Sequence, residues 1–329
     1  MSRLLDPIGV ELGRVEEALA EQVRKFAPGV TDYVGYVLGG TGKRLRPALA
    51  LLAAGVTGRI DENHITLAVV VELIHVATLV HDDVLDEAEL RRGLPTSNSR
   101  WGNEVSVLLG DCLFAHSLRL ASAFPTTTVC QRISEASNTV CSGEILQNRK
   151  RFDLNLELEQ YLEIIGMKTG SLFAVSCELG AVLNAAPPRV VKSLQGFGSN
   201  LGIAYQMCDD CVDIFGQEHQ EGKSLGTDVK KGKLTLPYLL LLQHTDAGSR
   251  RRLGETIFRD EPNVRSELLD MVMGNGVMTE SLLAIDKYIA RAEANLAGLP
   301  SSVYSKTLRD LLAFVAGKSR FLLKEKVAA

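Results

Sequence analysis

An apolar run that ends in three carboxylates constrains this chain more than any other feature. From Val69 to Pro95 it reads VVVELIHVATLVHDDVLDEAELRRGLP, with Asp82, Asp83 and Asp86 followed by Arg91 and Arg92. The apolar lead-in holds no partner for these acids, and burying carboxylates unpaired is costly. The spacing i, i+1, i+4 puts Asp82 and Asp86 one helical turn apart, with Asp83 beside them. That is an oxygen face suited to a hard divalent ion such as Mg2+. A solvated helix end where acids pair with arginines would show the same pattern.

A second copy favours the metal. Tyr205 to Gly216 reads YQMCDDCVDIFG, and Asp209, Asp210 and Asp213 repeat the spacing after another apolar lead-in. Two such faces opposed across a helix bundle make a carboxylate metal site. Together they carry about six negative charges, too many to bury without ligands. Metal ions bridging a bound diphosphate would neutralise both.

The remainder of the chain reads as helix. The apolar positions Val10, Leu12, Val15, Leu19, Val23 and Phe26 fit one helical stripe. Few segments alternate with period two, and there are only 10 prolines in 329 residues. With no low-complexity segment and no clear linker, residues 1–329 are expected to form one all-α domain. A net charge of -4 and an aromatic content of 5% argue against a nucleic-acid partner. Six scattered cysteines do not suggest a disulfide framework. Cys208 and Cys211 form a CxxC without a second pair, so they read as helix packing. The N-terminus lacks an apolar leader core, and no apolar run is expected to stay free of charge for long enough to span a bilayer. A cytoplasmic protein with at most peripheral membrane contact is expected.

Basic residues gather at helix breaks. Lys43, Arg44 and Arg46 lie in GGTGKRLRP, a glycine-rich loop at a helix start, which is the composition of an anion site. His75 stands two turns before Asp82, near the same face. Lys168 and Thr169 fall between Gly166 and Gly170, and Glu144 and Gln147 are polar points in an otherwise apolar stretch. Residues 216–233 form a polar loop with Lys223, Lys230, Lys231, Lys233 and Asp228, placed to close over a diphosphate.

In order and rough spacing, GGTGKRLRP, ELIHVATLVHDDVLDEAELRRGLPT, GEILQ, MKTG, YQMCDDCVDIFG and GKSLGTDVKKGKLTLP resemble the trans-isoprenyl diphosphate synthases, or polyprenyl synthetases. The resemblance implies an all-α isoprenoid synthase fold, a helical bundle around a deep central cavity, usually as a homodimer. It implies head-to-tail joining of isopentenyl diphosphate to an allylic diphosphate. Metal ligands would be Asp82, Asp83, Asp86, Asp209, Asp210 and Asp213, holding three Mg2+ per site with diphosphate bound. The implied catalytic set is Asp82, Asp83, Asp86, Lys168, Asp209 and Asp210. Lys43, Arg46, His75 and Arg92 match the isopentenyl diphosphate site, with Arg44 a further candidate. Arg91, Lys168, Thr169, Gln206, Lys223 and Lys233 match the allylic diphosphate site, and Asp228 resembles a lid residue.

Chemistry of that kind needs no protein nucleophile. The leaving diphosphate accumulates charge that metal and lysines can stabilise, and a dry apolar cavity protects the carbocation. Ala77 and Thr78, one turn before Asp82, would line the cavity beneath the metal site. Short-chain members of the family block it there with aromatics. Two small residues with nothing inserted in the first motif indicate a long-chain enzyme, hexaprenyl to decaprenyl, serving quinone side chains. The alternatives are a geranylgeranyl or farnesyl diphosphate synthase, a terpene cyclase, or a partner subunit of a heteromeric synthase. Intact second acids and the GKRLRP loop disfavour a cyclase, and two complete triplets disfavour a non-catalytic subunit.

Overall fold

In the computed structural model of the chain, residues 2–40, 42–216, 226–259, 261 and 264–327 are described. After a 3-10 turn at Ser2–Ile8 come α1 (Gly9–Val23), α2 (Thr31–Leu38), α3 (Leu45–Thr57) and α4 (Glu62–Leu85). A strand pair, β1 (Leu90–Arg91) and β2 (Leu94–Pro95), precedes α5 (Ser97–Trp101), α6 (Asn103–Ser122) and α7 (Thr127–Arg149). Next are α8 (Leu158–Ile165), a π-helical turn at Gly166–Gly170, α9 (Ser171–Val182) and α10 (Pro188–Phe215). The chain closes with α11 (Thr227–Lys230), α12 (Leu236–Gln243), α13 (Ala247–Ile257), α14 (Val264–Gly274), α15 (Val277–Leu296) and α16 (Val303–Val327). The architecture is all-α, as the apolar periodicity predicts.

Local chemistry departs from simple periodicity at three places that matter for the site. Apolar spacing alone would carry α4 to residue 90, yet it stops at Leu85 with Asp86 as its C-cap. The chain then turns back, pairing Leu90 with Pro95 and Arg91 with Leu94. Arg92 and Gly93 both take positive φ, 53° and 77°, the twist of a two-residue hairpin turn. α5 and α6 are separated by Gly102, whose φ of 86° interrupts helical geometry. Between α8 and α9 the helical path is interrupted by the π turn, a distortion that clusters at functional sites.

Packing groups the residues into two units. One contains Met1–Asn138, Ser171–Gly198 and Asn295–Leu311; the other contains Thr139–Gly170, Ser199–Ala294 and Leu312–Ala329. In the first, α3 is buried on every side, with Ala48 through Ala54 at 0% exposure. Burying each Leu there is worth about 2 kcal/mol. In the second, Leu236, Tyr238 and Leu239 through Leu242 make α12 a buried core helix, and Cys208 and Cys211 are buried free thiols.

The expectation that no segment is long and apolar enough to span a bilayer was too strict. Among the described residues Glu62–Leu85 and Asn103–Ser122 reach that length and hydropathy. For α4 the reason is packing, since 72% of its most apolar window is buried within the protein.

Candidate active site

The first acid motif sits where α4 ends. An Asp61 cap starts this helix, its side chain accepting from the Asn63 and His64 amides. At the other end the Asp86 amide donates to the Asp82 carbonyl at 2.8 Å, so the expected one-turn spacing is realised. Asp83 is buried, and the β1–β2 hairpin delivers Arg91 to it. Arg91 Nε donates to Oδ1 and Oδ2 of Asp83 at 3.0 and 2.9 Å, and Nη2 donates to Oδ1 at 2.7 Å. Burial opposes the Arg91 charge, but Asp83, then Asp82 and Asp86, raise its pKa above the ordinary value. His81, beside Asp82, has Nε2 3.0 Å from the Val107 carbonyl of α6. Gly110 permits that approach, because a Cβ there would lie 2.2 Å from the imidazole.

A cavity of about 110 Å³ opens beside this helix end, with Arg44, Glu72, His75, Asp83, Arg91 and Arg92 among its walls. Val76, Leu79 and Val80 make part of it apolar. Burial, then Arg46, Arg91, Arg92 and Arg44, pushes the His75 pKa well below the ordinary value, so the imidazole is neutral. Three of the residues expected at the isopentenyl diphosphate site, Arg46, His75 and Arg92, thus share one electrostatic neighbourhood. Lys43, the fourth, is exposed on the adjoining loop. The Arg46 guanidinium lies 5.0 Å over the Phe173 ring. Gly42 brings the loop against Arg92, whose Nη1 would be 3.3 Å from a Cβ at that position. Arg44, also in the cavity wall, has its guanidinium bound to Glu16 and Glu72. Ala77 is fully buried, and Thr78 donates from Oγ1 to the His75 carbonyl at 2.7 Å.

The second acid motif, in the other unit, is organised by neutral donors. Asp210 is buried; Tyr161 Oη donates to its Oδ2 at 2.5 Å and Gln206 Nε2 donates to its Oδ1 at 2.8 Å. Thr169 Oγ1 in turn donates to Gln206 Oε1 at 2.8 Å. Burial first, then the charge of Asp228, pushes the Asp210 pKa up to about 8 against the pull of those hydrogen bonds. Lys168, on the π turn, pairs with Glu144 and donates to Gln147 Oε1 at 3.1 Å. The two polar points of α7 therefore hold the lysine. Asp213 is buried; its carbonyl accepts from the Gly226 amide at 3.0 Å and its Oδ2 from the Asp228 amide at 3.4 Å. The described end of the basic loop is thus pinned to the motif, and the Lys233 amide donates to the Asp228 carbonyl at 2.9 Å. Lys223 lies outside the described residues.

Sequence reasoning passed over Tyr161 and Glu16, and saw Glu72 only as an interruption of the apolar surface of α4. Tyr161 looks like part of an apolar stripe, and its partner is 49 residues away. The available signal was Glu72 itself, a carboxylate inside the apolar run of α4, because a buried charge demands a partner.

Among the described residues no three His, Cys, Asp or Glu side chains converge as a ready-made metal cage. The donor chemistry still fits Mg2+, which ordinarily takes one or two carboxylates and completes its shell with phosphate oxygens and water.

Comparisons with known proteins agree with this inventory. Residues 28–272 match the family model for polyprenyl synthetase. The chain is 36% identical over 234 residues to octaprenyl diphosphate synthase of Escherichia coli, covering 71% of this chain and 72% of that one. The structure of a decaprenyl diphosphate synthase from Rhodobacter capsulatus superimposes with a TM-score of 0.91 at 32% identity, covering 97% of this chain and 99% of the other. A polyprenyl synthase from Caulobacter crescentus, complexed with calcium and isoprenyl diphosphate, gives 0.90 at 32% identity, covering 96% and 97%. The matched residues span both acid motifs and the glycine-rich basic loop, and the chain belongs to the polyprenyl synthetase family.

Proposed function

We propose that the chain is a long-chain trans-polyprenyl diphosphate synthase that joins isopentenyl diphosphate head to tail to an allylic diphosphate. The observation that carries this reading is the cavity in which His75, Arg91 and Arg92 stand beside Asp83 of the first acid motif. Two arginines supply charge for a diphosphate there, and a neutral His75 supplies a hydrogen bond without competing for it.

Lys168 pairs with Glu144 and donates to Gln147, and in this reading Lys168, Arg91, Lys223 and Lys233 would each stabilise negative charge on a leaving diphosphate. Asp82, Asp86, Asp209 and Asp213 would hold Mg2+, three ions per active site, while Asp83 and Asp210 have protein donors on both oxygens. When bound, the ions supply Lewis-acid stabilisation of the leaving group. The alkene of isopentenyl diphosphate is the nucleophile, and the proton it sheds goes to the departing diphosphate. Apolar side chains such as Val76, Leu79 and Val80 exclude water from the carbocation.

The small side chains of Ala77 and Thr78 support a product in the hexaprenyl-to-decaprenyl range, destined for quinone side chains. We further propose a single catalytic domain, a homodimer, and a cytoplasmic location with peripheral membrane contact for product release. The family match, which runs across residues of both units, supports the single domain.

The test is incubation of purified protein with farnesyl diphosphate, isopentenyl diphosphate and Mg2+, followed by measurement of product length. Hexaprenyl or longer products are expected. A product that stops at geranylgeranyl diphosphate would overturn the chain-length assignment, and no condensation would overturn the activity.

A further inference from the structure

We propose that Arg44 is a positioning residue: it ties the glycine-rich loop to α1 and α4, so that Lys43 and Arg46 are presented to isopentenyl diphosphate while Arg44 itself binds none. The proposal deepens the synthase reading and rests on it for the identity of the ligand. Three basic residues in one loop would ordinarily be taken as three phosphate contacts. The hydrogen bonds of Arg44 say otherwise. Nε donates to Glu16 Oε1 at 2.6 Å and Nη2 to Glu16 Oε2 at 3.1 Å, a two-point grip on α1. Nη1 donates to Glu72 Oε1 of α4 at 2.7 Å, and Nη2 donates to the Leu38 carbonyl at 3.1 Å. A guanidinium has five N–H groups, and these contacts use most of them. The side chains of Arg44 and Glu72 are 11% and 4% exposed, so the pair is an interior one.

The backbone points the same way. Arg44 takes φ 46° and ψ 38° and precedes the first residue of α3. A residue other than glycine adopts that conformation only where its surroundings enforce it. Arg44 is turned inward through this left-handed step, while Lys43 is exposed on the same loop and Arg46 adds to the positive field at His75. The charges also fit. Glu16 and Glu72 outnumber Arg44, so the triad alone would repel a dianion. Its value at this pocket lies in neutralising Glu72 and fixing the loop.

This makes a prediction of opposite sign from the ligand alternative. If Arg44 contacted the diphosphate, Arg44→Lys would keep a usable phosphate contact, and Glu72→Leu would strengthen binding by removing a negative charge. If Arg44 is a tether, lysine cannot reproduce the fork, and Glu72→Leu weakens binding by releasing it. Steady-state kinetics with farnesyl and isopentenyl diphosphates, together with melting temperatures, decide between them. Arg44→Lys and Glu72→Leu are each expected to raise KM for isopentenyl diphosphate about tenfold, from lost charge-assisted hydrogen bonds, with KM for farnesyl diphosphate within about twofold. The double variant is expected to be no worse than the poorer single one, because both break one contact. A lowered KM in Glu72→Leu, an unchanged KM in Arg44→Lys, or a fall in melting temperature with both KM values unchanged or equally raised would overturn the tether. If wild-type protein condenses no pair of substrates, the synthase reading fails separately. Calorimetric binding of inorganic diphosphate then decides the tether, with weaker binding in both variants expected and unchanged or tighter binding overturning it.

Discussion

Asp83 and Asp210 occupy the same place in their respective motifs, and both are buried, at 5% and 4% exposure. Their partners differ in kind. Asp83 receives a guanidinium from a hairpin that follows within a few residues. Asp210 receives a phenol and an amide, neither of them charged, and its pKa rises to about 8 because burial outweighs those two hydrogen bonds. The first motif therefore carries its own counter-cation, whereas in the second burial favours the protonated acid. One acid spacing in the sequence thus corresponds to two electrostatic environments.

Replacing the outer acids should have the largest effect. Asp82→Ala or Asp209→Ala is expected to lower kcat about a thousandfold or more, as loss of charge stabilisation at a developing diphosphate does. Near-normal turnover in either variant would break the view that both motifs serve one reaction.

The contrast between the inner acids is tested by removing one partner from each. Arg91→Met strands a buried carboxylate and should cost about 2 kcal/mol in urea unfolding, the buried-pair penalty discounted for partial exposure of the arginine. Tyr161→Phe removes one neutral donor and should cost about 1 kcal/mol. Equal costs would erase the distinction between cationic and neutral support.

Stability against pH sharpens it further. The folded pKa of Asp210, about 8, lies above its ordinary 3.8, so the fold favours the protonated acid. That contribution is complete at low pH and disappears as pH rises through 8; Asp210→Asn should flatten this part of the metal-free profile. His116, lowered from 6.5 to about 4 by burial and then Arg119, acts with opposite sign. Its contribution is present above pH 6.5 and is lost as pH falls towards 4, and His116→Gln should flatten the acid limb. Unfolding midpoints across pH for the two variants check both signs, and unchanged profiles would discard them. The smallest effect on rate is expected from Ala77→Phe, which lies outside the acid motifs and should keep turnover within about tenfold while its bulk shortens the product. An unchanged product distribution would count against a cavity lined by α4.

Much of the fold was legible because its causes are local. The stripe through α1, the all-round apolar α3 and the acid spacing at the end of α4 follow from side chains a turn apart. Gly102 and the Arg92–Gly93 turn were harder, since a positive φ is a property of the final backbone. The aspartates, His75 and Lys168 stood out by spacing and context, whereas the role expected of Arg92 came only from the family resemblance. Glu144 and Gln147 were visible as polar residues out of place, but that they hold Lys168 was not. The carboxylate partners of Arg44 were not legible, because nothing nearby in the chain distinguishes a loop arginine that faces solvent from one that faces two carboxylates.

By itself the sequence determined an all-α chain bearing two acid motifs and a basic loop, because helical period and motif spacing are short-range properties. Only the tertiary structure decided which charge each residue meets. Arg44 finds Glu16 and Glu72 each at 28 positions' remove, and Asp210 finds Tyr161 at 49. Such pairings arise when helices pack, because burial forces each charged or polar group to take whatever partner the neighbouring element supplies.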